Sequence, residues 1–146
     1  MSFKLPSDQY YIRNGRSFAG RALHEDHSLN PKPVICPTDD TNDLWIVEAL
    51  PNGHYILRAR GAPTAEHDGY VYAFLQEREE KKEWIITLRP DQDHQYTIQE
   101  ATGKGWIAET GDEGHQRIAV GPLPTTKSDP PQFLGSALWT IQPLVD

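Results

Sequence analysis

Leu44-Trp45-Ile46-Val47-Glu48-Ala49-Leu50-Pro51-Asn52-Gly53-His54-Tyr55-Ile56-Leu57 reads as a strand, a tight turn and a second strand. Aromatic and β-branched residues suit both runs to a half-buried pleated surface. Asn-Gly between them supplies positive φ at little steric cost and signals a hairpin. The pattern returns further along the chain. Trp84-Ile85-Ile86 leads across Pro90-Asp91-Gln92-Asp93-His94 to Tyr96-Thr97-Ile98, and Leu138-Trp139-Thr140-Ile141 supplies a third Trp strand. Tyr11-Ile12 opens the series, so the Tyr anchors Tyr11, Tyr55 and Tyr96 stand 44 and 41 residues apart. Recurrence at such a period marks an architecture made of copies of one unit.

Between the anchors lie shorter runs, Ser17–Leu23, Val34–Cys36, Val71–Leu75, Gly105–Glu109 and Arg117–Val120, separated by Gly, Pro, Asn and Asp. About twelve short strands in three units fit two architectures. One is a six-stranded barrel capped by three hairpins, the β-trefoil; the other is a small sandwich. The threefold Trp/Tyr recurrence favours the trefoil: an all-β single domain over 1–146, with pseudo-threefold repeats at about 9–53, 54–93 and 94–146. Trp45, Trp84 and Trp139 are expected to fill the core. Trp106 falls outside the pattern and is compatible with core or surface. The charged run Glu77-Arg78-Glu79-Glu80-Lys81-Lys82 reads as a solvated loop or short helical turn.

The chain has 146 residues, 12 prolines, one cysteine and a net charge of −7. That length suits one domain with a sufficient core. Cys36 alone cannot form an internal disulfide, which suits a reducing compartment or a scaffold that does without bridges. With 21 acidic against 14 basic residues there is no basic stripe for phosphates, so nucleic-acid and anionic-membrane partners are disfavoured. No apolar run approaches a membrane span. Met1 to Gly15 has no secretory core, and the expected compartment is the cytoplasm.

The repeats differ where function would sit. Tyr anchor to Trp anchor is 34 residues in the first, 29 in the second and 43 in the third. Surplus length cannot be shared core and must extend a loop, where function concentrates. The third surplus is Gly121-Pro122-Leu123-Pro124-Thr125-Thr126-Lys127-Ser128-Asp129-Pro130-Pro131-Gln132-Phe133, with four of the 12 prolines. Proline fixes φ and biases the preceding residue to extended backbone, so Asp129 and Pro130 are expected to continue an extended strand. A stiff exposed loop with Lys127 near its apex has the properties of a protease-inhibitor loop. Serine proteases bind extended segments, and a trypsin-like pocket is acidic and accepts Lys. In this reading Pro124, Thr125, Thr126, Lys127, Ser128, Asp129 and Pro130 form the reactive loop. Lys127 is the primary specificity residue, Thr125 and Thr126 pair with the protease as an added strand, and Ser128 and Asp129 take the leaving side.

The first repeat carries a competing loop, Leu23-His24-Glu25-Asp26-His27-Ser28-Leu29-Asn30-Pro31-Lys32-Pro33. Lys32 is a poor candidate because Pro33 follows it, and Arg21 is expected in a strand. Other chemistry is missing from the pattern. His24 and His27 lack the further ligands of a zinc site. Asp39, Asp40, Asn42 and Asp43 lack the Gly and terminal Glu of a calcium loop. Cys36 reads as core, and no nucleophile motif occurs. Neither an enzyme, a cofactor nor a metal is expected. A carbohydrate-binding β-trefoil lectin is the alternative, but the Gln-x-Trp common in such lectins is absent here.

Phe18-Ala19-Gly20-Arg21, Glu25-Asp26-His27-Ser28-Leu29-Asn30-Pro31-Lys32-Pro33, Gly61-Ala62-Pro63-Thr64-Ala65, and Pro130-Pro131-Gln132-Phe133 before Leu138-Trp139 carry a further signal. Over its whole length the chain resembles the mushroom β-trefoil serine protease inhibitors. The resemblance implies a fungal source, tight and reversible inhibition of trypsin-like proteases, and a role in defence or in control of the fungus's own proteases; separately, the chain is expected to be a monomer. It also implies a reactive residue on one of two loops. Some members use a Lys between the last two strands, here Lys127. Others use an Arg between the second and third strands, where this chain has His27.

Overall fold

The computed structural model describes residues 5–15, 17–21, 28–37, 43–75, 83–109, 115–129 and 131–143. It contains β1 (Asp8–Asn14), β2 (Ser17–Phe18), β3 (Gly20–Arg21), β4 (Lys32–Pro37), β5 (Trp45–Ala49), β6 (Tyr55–Ala59) and β7 (Ala62–His67). There follow β8 (Tyr70–Ala73), β9 (Ile85–Arg89), β10 (Gln95–Gln99), β11 (Gly105–Ala108), β12 (His115–Gly121), a short 3-10 turn (Gly135–Ala137) and β13 (Thr140–Pro143).

The opening hairpin forms as its residues dictate. β5 pairs β6 antiparallel from Trp45↔Ala59 to Ala49↔Tyr55. Gly53 takes φ +90°, and Asn52 Oδ1 accepts the His54 N–H at 2.9 Å. In the corresponding turn between β9 and β10, Asp93 and His94 carry positive φ.

Six strands close into a barrel. β13 pairs β1, β1 pairs β5, β5 pairs β6 and β9 pairs β10. The bridges Tyr55↔Trp84 and Tyr96↔Trp139 complete the ring. The hairpins β3–β4, β7–β8 and β11–β12 meet one another through β4–β8, β12–β4 and β12–β8 pairings. A six-stranded barrel with three mutually contacting hairpins is the β-trefoil, not the sandwich.

The threefold pattern is sharper in space than in sequence. Tyr10 pairs Trp45 just as Tyr55 pairs Trp84 and Tyr96 pairs Trp139. The first anchor is therefore Tyr10, not Tyr11. A one-residue change of register moves a side chain to the other face of a strand. Tyr10 is buried, whereas Tyr11 packs edge-on against Phe18 outside the core.

Trp45, Trp84 and Trp139 are fully buried, and each donates its indole N–H to a carbonyl of a cap hairpin or its edge. The acceptors are Ala19 O at 2.8 Å, Thr64 O at 3.3 Å and Trp106 O at 3.1 Å. Ala19, Thr64 and Trp106 thus hold the same place in the three repeats. All three sites converge, and one large side chain fills what they share. Trp106 lies 5.6, 5.6 and 5.5 Å from the rings of Trp45, Trp84 and Trp139. It is the centre of the core.

β7 is a strand that the sequence reading does not anticipate. Its residues, Ala62-Pro63-Thr64-Ala65-Glu66-His67, are mostly poor strand formers. Tertiary pairing with β6 and β8 decides it, and the buried Thr64 hydroxyl donates to Leu57 O at 2.8 Å. Cys36 is fully buried, and burial pushes its thiol pKa up to about 12. It is a core residue, as its flanks Ile35 and Pro37 indicate.

Candidate functional site

The segment joining β12 to β13 folds as a short hairpin of its own. Thr125 lies directly opposite Phe133. The flanking bonds run from Thr126 N–H to Gln132 O at 2.7 Å and from Leu134 N–H to Pro124 O at 3.0 Å. In this antiparallel register the two facing residues do not bond each other, and their own N–H and C=O groups point outward. The outer edge of Phe133 is taken up by the Gln92 side chain. The outer edge of Thr125 meets no partner among the described residues.

The apex is short and exposed. The chain bends at Lys127, Ser128 and Asp129, all three solvent-exposed. The expected extended run therefore ends at Thr126. Asp129 does not continue it, because the cross-bonds between Pro124–Thr126 and Gln132–Leu134 force the chain to turn back. Pro130 lies outside the described residues. Among those described, no group holds the Lys127 ammonium.

Thr126 braces the apex from within. Its hydroxyl lies 2.6 Å from Ser128 Oγ, a contact that spans the Lys127–Ser128 peptide bond. The same Oγ1 accepts the Gln132 N–H at 3.1 Å. The two threonines expected to pair with a protease are thus differently placed. The Thr126 N–H is spent inside the loop, and the free edge belongs to Thr125. Threonine at both positions also stiffens χ1.

The descending limb is fixed to the barrel. The Arg89 guanidinium lies 4.6 Å over the Phe133 ring and donates to Thr97 Oγ1 at 3.2 and 3.0 Å. Asn14 donates its side-chain amide to Gly135 O at 2.8 Å and Leu138 O at 2.9 Å. These anchors come from β1, β9 and β10 and the turn after β9, elements distant in sequence.

The competing residues of the first repeat are differently placed. Lys32 is buried in β4, only 4% exposed, with Nζ 3.3 Å from Ser28 Oγ. Arg21 is buried in β3, as its sequence position predicts. His24, Glu25, Asp26 and His27 lie outside the described residues, as do Asp39, Asp40 and Asn42. Asp43 is engaged with the Arg21 N–H at 2.8 Å and with Arg60 at 3.2 Å. That bonding makes it a structural carboxylate joining β3 to the β6–β7 turn.

A barrel carrying a braced, exposed loop on a rigid base is the build of an inhibitory scaffold. Residues 1–143 match the peptidase inhibitor I66 family. The chain belongs to that family, and it is an inhibitor rather than an enzyme. A serine protease inhibitor of Lentinula edodes is 38% identical over 132 residues, covering 88% of this chain and 91% of that protein. A proteinase inhibitor from Coprinopsis cinerea has a solved structure that superposes with a TM-score of 0.85 at 30% identity, covering 97% of this chain and all of that one. The fold alone is shared with Cry35Ab1, with a TM-score of 0.70 at 16% identity over 94% of this chain and 36% of that chain.

Proposed function

We propose that this protein inhibits trypsin-like serine proteases through the loop from Pro124 to Pro130, with Lys127 as the primary specificity residue. The observation that carries the reading is the pairing of an exposed Lys127, held by no described group, with the outward backbone edge of Thr125 on a loop braced from three sides. A trypsin-like pocket is acidic, and an exposed ammonium enters it without breaking an intramolecular contact. The Thr125 N–H and C=O offer the protease a strand edge two residues before the Lys, the mode in which extended peptides are bound. The loop is already shaped, so little conformational entropy is lost on binding.

The loop also explains inhibition rather than digestion. Attack of the protease serine on the Lys127 carbonyl would form an acyl-enzyme and release the Ser128 amine. Thr126 Oγ1 touches Ser128 Oγ, and Gln132 holds Thr126, so the new amine stays beside the acyl carbon. It can return to that carbon, expel the protease serine and restore the Lys127–Ser128 bond. Water is thereby kept from completing hydrolysis.

The test is a titration of trypsin by the protein, one chain per enzyme. A linear loss of activity to a one-to-one end point is expected, with far weaker effect on a protease whose specificity pocket is apolar. Undiminished trypsin activity in the presence of excess protein would contradict the proposal.

A further inference from the structure

We infer that Gln92, in the turn between β9 and β10, is the positioning residue that keeps the loop an inhibitor rather than a substrate. The inference rests on the reading of Lys127 as the reactive residue.

Gln92 grips the main chain of Phe133 with both ends of its amide. Its Nε2 donates to Phe133 O at 2.9 Å, and its Oε1 accepts the Phe133 N–H at 3.0 Å. The residue is itself fixed. Its own N–H donates to Arg89 O at 3.1 Å, and its carbonyl accepts the Gln95 N–H at 3.2 Å. The positive φ values of Asp93 and His94 turn the chain back directly after it.

From Gln92 the restraint runs in a short line to the apex. Phe133 faces Thr125, and its neighbour Gln132 holds Thr126 through both its carbonyl and its N–H. Thr126 in turn holds Ser128. A protease pairing with the free edge of Thr125 presses on one side of this two-stranded loop, and Gln92 supports the other. Phe133 lies on the Ser128 side of the Lys127–Ser128 bond. Once that bond is cut, Gln92 is a grip on the segment that must not drift away before resealing.

The corresponding turn of the preceding repeat is similar. There Asn52 donates its side-chain amide at 2.8 Å to Glu83, the residue before Trp84. That turn meets a side chain, whereas Gln92 takes both polar groups of a backbone unit. The grip on main chain falls on the repeat with the longest loop.

The experiment compares wild type, Gln92→Ala, Gln92→Leu and Lys127→Ala in parallel. The readouts are the trypsin inhibition constant, the rate of cutting at Lys127–Ser128 during prolonged incubation, and the thermal midpoint. Gln92→Leu keeps the bulk and removes the amide. Loss of two hydrogen bonds of ordinary strength predicts that both Gln92 variants inhibit about tenfold less tightly and are cut about tenfold faster, with midpoints within a few degrees of wild type. A purely packing role would spare Gln92→Leu. Wild-type inhibition and cutting rates in Gln92→Leu would therefore overturn the proposal, and so would a collapse of the midpoint in both variants. If Gln92 variants match wild type while Lys127→Ala is inert, the clamp alone is wrong. If Lys127→Ala inhibits as tightly as wild type, the assignment of the site is wrong and the clamp falls with it.

Discussion

Lys127→Ala is expected to weaken trypsin inhibition by roughly a thousandfold or more, the loss typical when a central anchor residue is truncated. The size follows from where the side chain goes. In the free protein the ammonium is exposed and no described group holds it, so nothing is lost from the fold. In the complex it would be the one cation inside an acidic, desolvated pocket, and its removal leaves that pocket's charge unpaired. The variant should therefore melt at the wild-type temperature. Active-site titration with the purified variant measures the effect. Inhibition within a few-fold of wild type would sink the assignment.

Trp106→Ala is expected to destabilise the fold by about 3–5 kcal/mol, the range for deleting a fully buried Trp side chain. For a chain of this size that corresponds to a fall in thermal midpoint of roughly 10–15 °C. Trp106 is the one large side chain at the place where the three repeats converge, ringed by Trp45, Trp84 and Trp139. Its counterparts Ala19 and Thr64 cannot fill the space it leaves, because their side chains end too soon. Its indole N–H has no hydrogen-bond partner among the described residues. Trp106→Phe, which deletes that group and keeps a ring, should accordingly cost much less than the alanine. Thermal or denaturant unfolding of the pair checks both statements, and equal losses would show that the ring does not fill the axis.

Much of the fold is legible because its signals are local. Strand–turn–strand units at Trp45 and Trp84 advertise themselves by Asn-Gly, by proline and by apolar runs. The long third loop is visible by simple comparison of repeat lengths. What is not legible depends on partners. Tyr10 and Tyr11 are adjacent aromatics, and only the pairing with Trp45 decides which faces the core. β7 lacks strand formers and exists because β6 and β8 flank it. Trp106 breaks the repeat for a reason that is itself threefold: three equivalent sites meet, and one large residue satisfies all of them.

The candidate site divides in the same way. Lys127 stands out by charge and by its flanking prolines. The brace does not. Pro90-Asp91-Gln92-Asp93-His94 reads only as a turn, and the amide of Gln92 meets Phe133 across 41 residues. Proline bias suggests that extended backbone continues through Asp129, yet hydrogen bonds across the loop bend the chain at Lys127. Local preference yields there to the closure of a hairpin.

The most direct test is the site of the first cut. The protein should be incubated with a small amount of trypsin, and the earliest fragments identified by mass spectrometry together with the loss of inhibition. Slow cleavage at Lys127–Ser128 is expected, with the two fragments remaining associated and the cut form still inhibitory. Strong inhibition with the first cut at another Lys or Arg, and Lys127–Ser128 intact, would contradict it.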